Sequence, residues 1–177
     1  MSDLLEKDYF NSLNTQKENW YYKYKIYKIK KEIENFFYLK SNAKTNCLDI
    51  GSGNGIISYG IGEKINNTYL NWKLIDSNYS KKDLKLDSRK ANKIDKNQNY
   101  DIVIGCDVLE HVEDEDKFLS VIYECMNDES ILILTVPAIE SLWSEHDVFL
   151  KHLRRYNMKT IKKATEKYFD FINYEYI

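Results

Sequence analysis

Proline is almost missing from this chain: Pro137 is its only one. That excludes a proline-rich linker or a polyproline-type ligand. Cysteine is scarce as well, and Cys47, Cys106 and Cys125 lie far apart inside apolar segments. Such spacing fits neither a disulfide framework nor a zinc knuckle, and the three read as buried thiols. Charge of one sign is not in excess, since 26 Lys and Arg face 28 Asp and Glu for a net charge of -2. No global field therefore draws the chain to nucleic acid or to an acidic membrane. No apolar run approaches the roughly 20 residues a bilayer-spanning helix needs. The start, MSDLLEKDYFNSLN, lacks the basic and apolar pattern of a signal peptide. The expectation is a cytoplasmic protein with no membrane span and no nucleic-acid partner.

What is present is an alternation of apolar runs and helical patterns. At 177 residues the chain fits a single domain, 1–177. Residues 15–40 carry Trp20, Tyr24, Tyr27, Ile33 and Phe37 at spacings of three and four, which predicts an amphipathic helix. Its lysines, Lys17, Lys23, Lys25, Lys28, Lys30 and Lys31, read as a solvated face rather than a nucleic-acid surface. The runs CLDIG, LNWKLID, YDIVIGC and SILILTVP have the β-branched, non-alternating character of buried parallel strands. DEDKFLSVIYECM, with acids in its first turn, predicts a helix between the last two. A third short strand is expected near residues 84–87, a helix over residues 157–167, and a terminal strand in DFINYEYI. The order is that of an α/β protein with a mostly parallel sheet.

The most informative stretch is LDIGSGNG, residues 48–55. A dinucleotide fingerprint, G-x-G-x-x-G, needs glycine at position 56, where this chain has Ile56. Here the glycines are Gly51, Gly53 and Gly55, and Asp49 stands two residues ahead of the first. A carboxylate there repels a diphosphate and attracts a cation. Asp76 ends the second strand about twenty residues further on, where a carboxylate accepts ribose hydroxyls in either kind of site.

This D-x-G-x-G-x-G pattern resembles the first motif of class I S-adenosylmethionine-dependent methyltransferases. The resemblance implies S-adenosyl-L-methionine as cofactor, with Asp49, Gly51, Ser52, Gly53 and Gly55 beside its methionine and ribose portions. It implies Asp76 and Ser77 at the ribose and Asp87 at the adenine amino group, with Asp95 as an alternative to Asp87. It implies a three-layer αβα Rossmann-like fold with strand order 3-2-1-4-5-6 and the N-terminal helix, within residues 1–40, as a lid over the core of residues 41–177. Trp20, Tyr21 and Tyr24 are the residues expected to line that lid. The family continues into a seventh, antiparallel strand that this chain lacks. The expectation is therefore a truncated sequence, a terminal strand paired directly with its neighbour, or a second copy forming a homodimer over the incomplete edge.

Asp-Val-Leu-Glu-His at residues 107–111 extends the resemblance, which places Cys106 and Asp107 beside the transferred methyl group. His111 has the intrinsic pKa of a general base, with Asp107 or Glu110 to orient it. Asp107, Glu110 and His111 also resemble the E-x-x-E-H metal ligands of ubiquinone-pathway O-methyltransferases, although the main reading takes no metal. Beyond the fifth strand, the stretch with Trp143, Asp147, His152, Arg154, Arg155 and Tyr156 resembles a subgroup associated with sugar, polysaccharide and lipid modification. There Trp143 offers a face for a ring, His146 and His152 are candidate bases, and Arg154 or Arg155 can clamp an acceptor anion. The expected activity is methyl transfer to a small-molecule acceptor. The competing readings are a catalytically inactive cofactor-binding partner subunit and an NAD-dependent oxidoreductase.

Overall fold

Strand β1 (Thr45–Ile50) is apolar on both faces, with Cys47 and Leu48 pointing opposite ways and both fully buried. A strand of that kind needs cover on both sides, so it belongs in the middle of a sheet. The computed structural model, which describes residues 19–39, 44–65 and 69–176, places it there. β2 (Leu70–Ile75) and β4 (Tyr100–Cys106) flank it in parallel, with β3 (Lys90–Ala91) beyond β2 and β5 (Met126–Thr135) beyond β4. The order is β3-β2-β1-β4-β5.

Two helices cover one face. α1 (Trp20–Leu39) buries Ile26, Ile29 and Ile33 against α2 (Ile56–Lys64) and against Cys47, Trp72 and Ile104 of the sheet. Each fully buried isoleucine contributes about 1.5–3 kcal/mol, ample to seat the helix. The helical spacing expected from the sequence holds and Ile33 of the expected stripe is buried, but the aromatic residues of that stripe are not. Trp20, Tyr24 and Tyr27 face outward, with Trp20 75 % exposed, and aliphatic residues take the buried stripe. The tyrosines keep their hydroxyls in water, and isoleucine fills the interior without an unsatisfied polar atom. The other face is covered by α4 (Glu115–Glu124), which packs Leu119 and Ile122, and here Asp114 caps the helix by accepting from the Lys117 amide. The result is the expected three-layer α/β fold.

Two local expectations are corrected. The third strand lies at Lys90–Ala91, and residues 81–86 form a short helix, α3 (Lys81–Leu86). The reason is a reciprocal cap, in which Ser80 Oγ accepts from the Asp83 amide and Asp83 Oδ2 accepts from the Ser80 amide. Beyond β5 come two more helices, α5 (Glu145–Leu150) and α6 (Met158–Thr165). The expected sixth strand is not present among the described residues, and residues 170–176 are irregular. Phe171, Ile172, Tyr174 and Tyr176 stay exposed in that segment, with no second layer over them, among the described residues, of the kind a strand there would need to bury its face. β5 accordingly keeps one edge unpaired among the described residues. Asn66 and Asn67, the expected turn after α2, lie outside the described residues, and no described helix is long and apolar enough to cross a membrane.

Candidate active site

All three glycines of the β1–α2 loop adopt left-handed backbone angles, with φ of 69° at Gly51, 51° at Gly53 and 82° at Gly55. Only glycine takes such angles without strain. At Gly51 an added Cβ would lie 2.5 Å from Val108 Cγ2, so this loop is pressed against the loop that follows β4. At Gly53 nothing stands within 4 Å of that position, which opens into the cavity beside it. The first glycine closes the site and the second leaves room for a ligand.

Asp49 precedes this loop on the same face as α1 and α2 and is 2 % exposed. Its Oδ2 has no hydrogen-bond partner, and burial pushes its carboxyl up to about 7, with Asp76 adding to the rise and Ser58 opposing it. A buried carboxylate without full compensation is costly, and a cationic ligand relieves that cost. Asp76 is also buried, but its oxygens accept from backbone amides, Oδ2 from Gly53 at 2.9 Å and Oδ1 from Asn78 at 2.8 Å. It braces the glycine loop from behind.

At the end of β4, Asp107 adopts φ 52°, a strained angle for any residue with a side chain. Its carboxylate is gripped from two sides: Lys25 of α1 donates to Oδ2, Tyr21 donates to the same oxygen at 3.2 Å, and the Thr135 hydroxyl donates to Oδ1 at 3.0 Å. Lys25 also donates to the Tyr21 oxygen at 2.6 Å. Although burial opposes it, Asp107 with Tyr21 keeps the lysine pKa well above its ordinary value. Burial, with Asp107, also raises the Tyr21 hydroxyl. Lys25 is therefore an interior residue and not part of a solvated face. Tyr21, Lys25, Ile29 and Ile33 follow one another at intervals of four, so the lysine shares the side of the helix that buries the isoleucines.

A second cluster occupies the far wall. The short turn Leu109–His111 holds Glu110 fully buried and His111 exposed, and the loop after α5 brings His152 beside them. The His111 and His152 rings meet edge-on with centroids 4.9 Å apart, and His152 Nε2 lies 4.0 Å from Glu110 Oε1. Behind His152, Asp147 Oδ1 accepts from Nδ1 at 2.9 Å. Arg155 grips the Asp147 carboxylate with two bonds of 2.8 Å, and the Ser144 amide adds a third at the same length. These donors, the Arg155 bonds foremost, hold the Asp147 carboxyl well below the usual range. Asp147 matched the sequence pattern without being assigned a role, since nothing local shows that three partners converge on it.

These groups surround one cavity of about 1930 Å³ at the C-terminal ends of β1 and β4. Ordinary ligand pockets are about 300–1,000 Å³. This one is larger because it runs on into a trough beside β5, walled by residues 168–176. Of the residues assigned from the sequence, Asp49, Gly51, Ser52, Gly53, Cys106, Asp107, His111, His146, His152, Arg155 and Tyr156 line it. Of the expected lid, Trp20 and Tyr21 also do. Gly55, Asp76, Ser77, Asp87, Trp143, Arg154 and Tyr24 lie outside its wall. Asp87 is engaged by Arg89 through Nε at 2.9 Å and Nη2 at 2.8 Å, and by the Tyr59 hydroxyl at 2.6 Å, which together hold its pKa well below the ordinary value. Asp95 accepts from the Asn97 amide. Arg154 pairs with Glu115 at 2.6 Å, and Tyr156 donates to the same side chain at 2.6 Å.

A parallel sheet, a glycine turn after its first strand and an acid-lined cavity at the strand ends define the Rossmann-like α/β class. Within that class the chain belongs to the methyltransferase-domain family, whose model matches residues 21–172. Among solved structures, phosphoethanolamine N-methyltransferase 2 of Haemonchus contortus, bound to S-adenosyl-L-methionine, is similar over 71 % of this chain at 20 % identity and TM-score 0.53. This chain covers only 33 % of that protein. The plantazolicin methyltransferase BpumL, in complex with a pentazolic desmethylplantazolicin analogue and S-adenosylhomocysteine, is similar over 92 % of this chain and 72 % of its own, at 13 % identity and TM-score 0.62. A putative sarcosine dimethylglycine methyltransferase of Galdieria sulphuraria matches 79 % of this chain and 60 % of its own, at 12 % identity and TM-score 0.56. At such identities the likeness is one of fold. No curated protein sequence matches the chain.

Proposed function

We propose that the chain binds S-adenosylmethionine and transfers its methyl group to a small acceptor carrying a hydroxyl or amine. The observation that carries this reading is Asp49: a buried carboxylate with an unpartnered oxygen on the wall of a cavity lined by the glycine loop. That combination favours a cationic amino group and disfavours a diphosphate. S-adenosylmethionine supplies a methyl carbon on a positively charged sulfur.

The chain's own residues hold the ligands and manage the proton. Gly51 and Gly53 let backbone approach the cofactor closely, and Asp76 fixes the loop by accepting the Gly53 amide. Tyr21 and Lys25, bonded to Asp107, hold α1 against the mouth of the cavity. Asp107, between Cys106 and the second cluster, positions the acceptor next to the reacting carbon. His111 and His146 are the imidazoles on the acceptor wall that take up the acceptor's proton. Both arginines of the pair at 154–155 are committed to carboxylates of the chain, Glu115 and Asp147. With neither arginine left to clamp an anion, this favours a neutral or cationic acceptor.

The test is calorimetric titration with S-adenosylhomocysteine and with NADH, followed by methyl transfer from labelled cofactor to a panel of small hydroxyl and amine acceptors. Micromolar binding of S-adenosylhomocysteine, lost in Asp49→Ala, is expected. Tight binding of NADH with none of S-adenosylhomocysteine overturns the reading.

A further inference from the structure

The cluster on the acceptor wall has a donor set that general-base chemistry alone does not require. Glu110, His111 and His152 bring a carboxylate oxygen and two ring nitrogens within 4.8 Å of one another. Two imidazoles with one carboxylate suit borderline divalent cations such as cobalt, zinc, manganese or iron, whereas magnesium and calcium prefer oxygen alone. In a tetrahedral zinc site with bonds of about 2.0–2.1 Å, neighbouring ligand atoms stand about 3.4 Å apart. To reach that spacing the ligand atoms draw together by up to about 1.4 Å.

The surroundings are built for such a ligand set. Asp147 accepts from Arg155 and from the Ser144 amide, and its contact with His152 Nδ1 leaves Nε2 turned toward Glu110. A carboxylate behind a histidine in this way fixes the ring and raises its strength as a metal ligand. Arg155, bound twice to Asp147, prevents that carboxylate from turning away. The two loops that carry the ligands are also joined directly, since the Glu110 carbonyl accepts from the Leu153 amide at 2.8 Å. Asp107 is not available to this set, because Lys25, Tyr21 and Thr135 occupy its carboxylate.

We propose that Glu110, His111 and His152 bind one divalent transition-metal cation, with an open coordination position toward the cavity for the acceptor's oxygen or nitrogen. The cation's role rests on the methyl-transfer reading above, and its binding does not. With the cation in place His111 is a ligand, and His146 is the imidazole that takes the acceptor's proton.

The experiment titrates chelator-treated protein with cobalt(II), following visible absorption and equilibrium dialysis, and titrates each variant with S-adenosylhomocysteine in parallel. One bound cobalt per chain with a ligand-field spectrum is expected. His111→Ala and His152→Ala should abolish the spectrum, Asp147→Asn should weaken binding about 10–100-fold, and His146→Ala should leave cobalt uptake unchanged. His111 is exposed, so its replacement tests the site without endangering the fold. S-adenosylhomocysteine binding without cobalt uptake, or uptake indifferent to His111→Ala and His152→Ala, overturns the cation site. Cobalt uptake without S-adenosylhomocysteine binding overturns the cofactor reading and leaves the site standing.

Discussion

Lys25 of the N-terminal helix donates to Asp107 Oδ2 across 82 residues of sequence, and the two sides of the pair are unequal. The lysine side chain is 1 % exposed and the aspartate 39 %. That inequality decides which partner the fold can do without.

Replacing Asp107 by Asn leaves a buried ammonium without its counter-charge, a loss of about 3 kcal/mol or more. Lys25→Met removes the buried charge and leaves an aspartate that water can reach, at a cost nearer 1 kcal/mol. Urea denaturation of both variants should rank Asp107→Asn as the weaker protein. A larger loss for Lys25→Met would mean that the pair does not govern closure of α1.

Two neighbouring glycines should fail differently when given a methyl group. Gly51→Ala drives its Cβ into Val108 and adds left-handed strain, so it should lower the melting temperature sharply. Gly53→Ala meets no atom within 4 Å, and its strain of about 1–2 kcal/mol is tolerable. The second variant should fold, yet lose S-adenosylhomocysteine affinity at least tenfold, as calorimetry will read. Retained affinity would place the ligand elsewhere.

Asp49 makes both stability and binding depend on pH. Its folded pKa, near 7, lies above the unfolded value, so the folded chain binds more protons between those values. The ligand-free protein should therefore lose stability as pH rises from about 4 to about 7, by as much as about 4 kcal/mol from this group. Asp49→Asn should abolish that slope, leaving the variant more stable than the parent at pH 8. A cationic ligand wants the ionised form, so S-adenosylhomocysteine affinity should climb through the same range. A flat affinity profile would separate Asp49 from the ligand's amino group.

Asp147 has the opposite sign. Its pKa is depressed, so its contribution is present above the ordinary aspartate value of about 3.9 and is lost as pH falls through its lower folded value. Asp147→Asn should cost about 2–4 kcal/mol at neutral pH, because Arg155 and His152 lose their shared partner. The gap between variant and parent should narrow below about pH 4, as thermal melts in acetate and glycine buffers will show. A gap independent of pH would mean that the carboxylate's charge is not what holds this loop.

The amino-acid sequence by itself determined the alternation of strand and helix, the parallel sheet and the glycine turn. These are local matters: the apolar runs span one strand each, and Asp49, Gly51, Gly53 and Gly55 lie within seven consecutive residues. Capping is local too, and the Ser80–Asp83 cap makes a helix where the sequence pattern favours a strand. Tertiary structure alone decided the phase of α1, since spacings of three and four fit both the aromatic and the aliphatic stripe of that helix. It alone brought Lys25 to Asp107 and His152 to Glu110. A side chain's neighbours across the chain follow from how helices and loops pack on the sheet, and that packing is set by volume and charge summed over the whole core.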